Sequence, residues 1–297
     1  CNRCSAADYT PFIAFVLTVM VVSVVAHNLV NQQLTAQTSS IMITSVAAGI
    51  LLSSAQVLSV LGQIRVEFHE PFLSIIDFMR VFQFDLLIFR PDCITRMTAL
   101  GNYTFRMILP FFISCIFFAT WALSKFLPSP YKRFRMDGMR CLNTVGTLIQ
   151  AFFIMISLNC VMPFRSTMNW MPSINAYKYT VESYPELDWF SGEHIGLVVV
   201  AIISICVYLA GFLSACFFVL YRIYTRPEVL NNKAFRVRWR WLMFRFAPEY
   251  WWFGMVVLVR NFLVAFVPLM APTLPSVQLC LLSLLTLIGL IVVCRCY

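Results

Sequence analysis

Charge is scarce in this chain. Asp, Glu, Lys and Arg make up 12% of its 297 residues, against roughly 25% in a soluble domain of ordinary composition. So few charges cannot cover a water-facing surface. With 60% hydrophobic residues and a mean hydropathy of +0.80, the solvent for most of the chain must be lipid. Histidine is rare as well: His27, His69 and His194 are the three, and no HExxH accompanies them. There is no GxSxG elbow, no phosphate-binding loop and no GxGxxG, so the catalytic and nucleotide-binding constellations carried by those motifs are missing. His69 stands beside Glu67 and Glu70 without further ligands in reach of sequence reasoning, and reads as a solvated loop, not a metal site. No cofactor, metal or enzymatic activity is expected.

The N-terminus lacks the layout of a cleavable signal. Cys1-Asn2-Arg3-Cys4 stands directly against an apolar run with no basic region and no small-residue cleavage site. A thioredoxin-type CxxC needs a strand-to-helix context, and a zinc site needs a second ligand pair; neither is present. The expectation is that residues 1–10 are the tail of a truncated cysteine-rich extracellular module, with Cys1 and Cys4 in disulfides.

What is abundant is apolar sequence in runs of membrane-crossing length. A helix rising 1.5 Å per residue needs about 20 apolar residues to cross some 30 Å of hydrocarbon. Such windows are Pro11 to Val30, Ile41 to Leu61, Phe105 to Leu127, Cys141 to Phe164, Ile195 to Tyr221, Tyr250 to Met270 and Ser276 to Cys294. The segment Pro71 to Cys93 is long enough but carries Asp77, Arg80 and Asp85. Each charge at mid-bilayer costs about 2.5–3.5 kcal/mol on insertion scales, so an interfacial amphipathic helix is expected there, with an eighth span as the rival. The predicted fold is all-α: a polytopic membrane helix bundle over residues 11–297, with seven transmembrane helices plus an extracellular-side amphipathic helix.

Lys and Arg set the orientation. Lys132, Arg133, Arg135 and Arg140 fall in one linker, and Arg222, Arg226, Lys233, Arg236, Arg238, Arg240 and Arg245 in another on the same side. That side is cytoplasmic by the positive-inside rule. Arg165 to His194, on the opposite side, leans acidic. Seven spans then place the N-terminus outside and the C-terminus inside.

Residues 236–255, "RVRWRWLMFRFAPEYWWFGM", need a separate account. The net charge of +9 invites a nucleic-acid interface, but the basic residues lie in two short inter-span loops with no binding fold around them, so no nucleic acid is expected. Arg236, Arg238, Arg240 and Arg245 with Trp239, Trp241, Trp251 and Trp252 are predicted to lie at headgroup level, Trp in the interface and Arg against anionic lipid on the cytoplasmic face. They serve as an anchor and orientation signal, or as a regulatory lipid or partner site.

Polar side chains within spans need a neighbouring helix or a water-filled cavity to receive them. Gln56, Gln150, Asn159, Arg260 and Asn261 are the candidates, and Arg260, near the middle of its span, is expected to hold the bundle together by pairing with those amides and with backbone carbonyls. Lining a ligand or conduction cavity is the alternative. Cys294 and Cys296, flanking Arg295 at the inner end of the last span, suit reversible palmitoylation. Asn102-Tyr103-Thr104 is a glycosylation sequon too close to the third span for use.

The order "CNRC", "SSAQVLSVLGQIRVEF", "FQFDLLIFRPDCI", "NYTFRMILPFF", "YRIYTRPEV" and "FRFAPEYWWFGMVVLVRNFLV" resembles the C-terminal membrane region, often labelled TRP-like, of large protist and algal surface proteins with cysteine-rich, ephrin-receptor-like or EGF-like ectodomains. Gln56, Phe84-Asp85, Cys93, Pro110, Glu249, Trp251 and Arg260 carry it. The resemblance implies a non-enzymatic anchor or signalling module of a plasma or flagellar membrane protein, with protein partners met through the ectodomain. A TRP-like cation channel or sensor and a heptahelical ligand-activated receptor are the rivals. Where TRP channels place a pore helix, between the fifth and sixth spans, this chain has a basic linker.

Overall fold

The computed structural model describes residues 10–30, 40–64, 66, 69–75, 98–126, 128, 135–171, 175–243 and 250–296. Cys1, Cys4 and Arg245 lie outside them, as does the expected amphipathic helix beyond residue 75; its first turn, 72–75, is helical.

Helices occupy each apolar window. They are α1 (Thr10–Val30), α2 (Ser40–Leu61), α3 (Ala99–Ser124), α4 (Gly138–Ala151), α5 (Phe153–Val161), α6 (Gly192–Ser204), α7 (Phe212–Thr225), α8 (Lys233–Arg238), α9 (Arg240–Met243), α10 (Phe253–Phe266) and α11 (Pro275–Cys296). The starts are legible locally: Thr98 Oγ1 accepts the Gly101 N–H, and Ser191 Oγ accepts that of His194, satisfying donors that a helix start leaves unpaired. Within the helices, the hydroxyls of Ser23, Ser114, Thr120 and Ser157 donate to the carbonyl four residues back, so these polar groups are satisfied without water.

Among the described residues, three helices are long and apolar enough to cross a membrane: α3, the continuous Gly192–Thr225 helix that joins α6 to α7, and Pro275–Val292 of α11. A fourth is counted if α4 and α5 with its 3-10 extension, bent by 54° at Phe152, form one broken span. The described apolar parts of the remaining windows, Val16–His27, Leu51–Leu61 and Phe253–Leu269, are shorter.

The bundle is organised around α5. Phe153 to Leu158, Cys160 and Val161 are all buried, as expected of a helix apolar on every side that sits inside its fold. Phe153 joins α7, α9 and α10 through Leu220, Leu242 and Leu258. Ile154 and Leu158 join α2, α10 and α11 through Val60, Val264 and Leu282. Ile156 and Cys160 join α3 and α6 through Tyr103 and Leu197. The outward faces of α1, α7 and α11 expose Leu17, Val21, Phe217, Phe218, Leu287 and Leu290. Between α10 and α11, Ala271 turns the chain with φ 48°, and Gln278 Nε2 donates to the carbonyls of Pro268 and Met270 at 3.1 and 2.9 Å.

The all-α expectation is corrected by a three-stranded antiparallel sheet of β1 (Ser166–Met171), β2 (Ala176–Val181) and β3 (Tyr184–Asp188) in order β1-β2-β3. It occupies the acid-leaning loop between α5 and α6. "AYKYTV" is rich in the aromatic and β-branched residues that fit a pleated surface. Cross-strand pairs add to this: Trp170 meets Tyr177 with ring centroids 5.0 Å apart, and Asn169 Nδ2 donates to Thr180 Oγ1 at 2.8 Å. Arg165 ties the sheet to the bundle. Its guanidinium donates to Gln63 Oε1 at 2.8 Å, to the Gln63 carbonyl at 2.7 Å and to Glu182 Oε1 at 2.8 Å, so the end of α2 and the sheet share one end of the molecule.

Candidate functional site

Gln56, Gln150 and Asn261 are buried, and Asn159 and Arg260 are half-buried. The helices that carry them, α2, α4, α5 and α10, pack on one another. Among the described residues, however, no hydrogen bond links the five: Gln56 Nε2, Gln150 Oε1, Arg260 Nε and Asn261 Oδ1 are each buried without a hydrogen-bond partner. The expected polar network is therefore corrected to a set of separately embedded groups. Arg260 instead packs its stem against Gly289 of α11, where a Cβ would stand 2.6 Å from Nε and 2.9 Å from Cδ.

The headgroup-level assignment is corrected for Trp241. It is 6% exposed, its ring stacks on Phe212 at 5.6 Å and 14°, and its backbone N–H donates to Asn143 Oδ1 at 2.9 Å. Its indole lies over Gly146 of α4, in the space a Cβ there would need. The reason is the fold of the basic linker: α8 and α9 turn back and pack against α4, carrying Trp241 into the core while Arg236 and Arg238 stay exposed. Arg238 Nη2 donates to Met139 Sδ at 3.3 Å. Burial, and behind it the charge of Arg140, hold Arg240 below the ordinary guanidinium pKa. Trp239 and Trp251 flank the same core, and Trp252 is exposed. Cys294 is an exposed free thiol, and Cys296 ends α11.

A half-open cavity of about 290 Å³ lies between α1, α3, α4 and α5, and is the strongest candidate site. Its wall is almost wholly apolar, with Val22, Ile113 and Phe117 among the lining residues and Arg106, Asn159 and Tyr208 as its larger polar members. Two backbone irregularities border it. Pro110 interrupts the α3 ladder, since it has no N–H for the carbonyl four residues back. The other is Ile205–Gly211, a π-helical segment, a feature frequent at functional sites. Tyr208, within that segment, donates its hydroxyl to the Met107 carbonyl at 2.7 Å, holding the irregular stretches together.

Arg106 and Tyr208 are not among the polar candidates read from sequence, and Pro110 enters there only among the residues that carry the resemblance. The third window starts at Phe105, which leaves Arg106 at a span end; α3 begins at Ala99 and carries it about 10 Å inward. Thr98, a good N-cap residue, was the available signal. The π segment has no such signature. No family model matches the chain, and no curated protein or solved structure matches it significantly.

Proposed function

We propose that this chain is a non-enzymatic, seven-span membrane domain that anchors and signals for a cell-surface protein of the plasma or flagellar membrane, with the sheet outside and the α8–α9 linker in the cytoplasm. The observation that carries the proposal is the distribution of apolar surface. α5 is buried on every side, while α1, α7 and α11 turn large aliphatic and aromatic side chains outward, as lipid requires and water does not. With the bent α4–α5 pair counted as one span beside the continuous α6–α7 helix, two crossings separate the two basic linkers and set both on one face, and α1, α2 and α10 complete the seven. Exposed Arg236 and Arg238 then meet anionic headgroups, each worth about 1 kcal/mol. The resemblance to surface-protein membrane regions favours the same role and extracellular protein partners.

A ligand-activated receptor is the second reading, favoured by the half-open cavity beside the π segment. Liposome flux and planar-bilayer recording on the purified chain test the anchor against a cation channel. The anchor proposal expects no current above protein-free bilayers; a reproducible cation current overturns it.

A further inference from the structure

Most polar groups on the wall of the cavity between α1, α3, α4 and α5 are already engaged. The hydroxyls of Ser23 and Ser114 donate to carbonyls of their own helices, and that of Tyr208 donates to the Met107 carbonyl. Arg106 already has a partner, so among the described residues the wall offers no free cation to an anionic head. The Asn159 carbonyl accepts the Tyr103 hydroxyl at 3.1 Å, but the Asn159 side-chain amide makes no hydrogen bond among the described residues. The Thr18 hydroxyl is open in the same way. Thr18 is exposed on α1 and Asn159 is half-buried on α5, so the amide is the deeper of the two. A buried water needs two to four polar partners, more than this amide in an apolar wall provides.

We infer that this cavity binds an uncharged, largely hydrocarbon molecule about two rings in size, carrying one hydroxyl or carbonyl placed against the Asn159 amide. An apolar cavity of about 150 Å³ stays dry and holds benzene. At about 290 Å³ this one has room for roughly two rings, at the lower edge of small-molecule sites. Apolar walls with a polar group that fixes orientation are the pattern of such sites. An amide both donates and accepts, so it pairs with an alcohol or a ketone, whereas a charged ligand here would lose its hydration without gaining a counter-ion. The inference supplies the ligand class for the receptor reading above and rests on that reading.

The test uses the full chain in neutral phosphatidylcholine nanodiscs and a diazirine-bearing naphthalenemethanol, with cross-links mapped by mass spectrometry. Saturable labelling of the lining segments of α3 and α5 is expected, competed by unlabelled naphthalenemethanol and at least about tenfold less well by its anionic analogue, naphthoate. Asn159→Leu should weaken competition by the alcohol about two- to tenfold and leave competition by naphthalene unchanged, a difference that general loosening of the fold would not produce. Ile113→Trp, which fills the space, should abolish the label. Non-saturable labelling overturns the inference. So does naphthoate competing as well as the alcohol, or an equal loss for alcohol and naphthalene in Asn159→Leu. If Ile113→Trp does not fold, competition on the parent chain still decides. Hydrogen exchange over α8 and α9 keeps the receptor reading separate: saturable binding that leaves exchange there unchanged supports the site and sinks signalling through it.

Discussion

The stem of Arg260 fills the space in which a side chain at Gly289 would stand, with Nε 2.6 Å from the Cβ position. α10 and α11 approach closely there because one partner is glycine, the small-residue packing that membrane helices favour. Gly289→Ala must displace a half-buried side chain and is expected to cost about 1–3 kcal/mol. In an Arg260→Ala background the same change should cost markedly less, a coupling of about 0.5–3 kcal/mol in a double-mutant cycle. Detergent melting of the four proteins measures it; additive effects would contradict the contact.

Arg260→Leu is expected to leave the melting temperature unchanged or raised. Sequence reasoning points the other way, to a guanidinium held by amides. Because Nε is buried with no hydrogen-bond partner, replacement by an apolar residue of similar volume removes a desolvated polar group and leaves no acceptor orphaned. A large fall in melting temperature on Arg260→Leu would restore the network.

Gly146→Ala is expected to destabilise by about 1–3 kcal/mol, and Trp241→Ala by about 3–5 kcal/mol, because the indole occupies the glycine's missing Cβ position. If Trp241 served only at the headgroups, its removal would change the dependence on anionic lipid and spare the melt. Thermal unfolding in neutral detergent separates these outcomes.

The apolar windows were readable because length and hydropathy act locally: helix occupies each of the seven, the fourth as the bent pair α4 and α5. The break at Phe152 was not, since no proline or glycine marks it and the bend arises where α5 must pack on several neighbours at once. The sheet was partly legible. "AYKYTV" and "STMNWM" carry strand-forming residues, but the surrounding bias toward helical spans outweighed them. Trp241 illustrates the limit most plainly. Its alternation with Arg is what an interfacial segment looks like, and only the return of α9 onto Gly146, a long-range event, places it inside.

Arg165→Ala should loosen the sheet, costing about 1–3 kcal/mol as the half-buried Glu182 carboxylate and Gln63 amide lose their donors. Arg165→Lys should rescue little, since an ammonium cannot span three acceptors in a planar fork. Hydrogen exchange over β1 to β3 reads this directly; unchanged protection in Arg165→Ala would contradict the clamp.

Acylation of the C-terminal thiols is expected at Cys294, which is exposed and free, with Cys296 beside it in sequence. Hydroxylamine-sensitive acyl exchange on protein from cells should lose its signal in the Cys294→Ser, Cys296→Ser double variant. No signal from the parent would remove acylation from the account.

Cysteine accessibility on intact cells tests the transmembrane arrangement most directly. Asp137 and Asn232, both exposed, border the two basic linkers, and Glu186 is exposed on β3. Single cysteines at 137 and 232 should react with an impermeant maleimide only after permeabilisation, and one at 186 should react before it, each judged against the parent chain. Labelling at 137 or 232 on intact cells, or one response at all three positions, would contradict cytoplasmic basic linkers with the sheet outside.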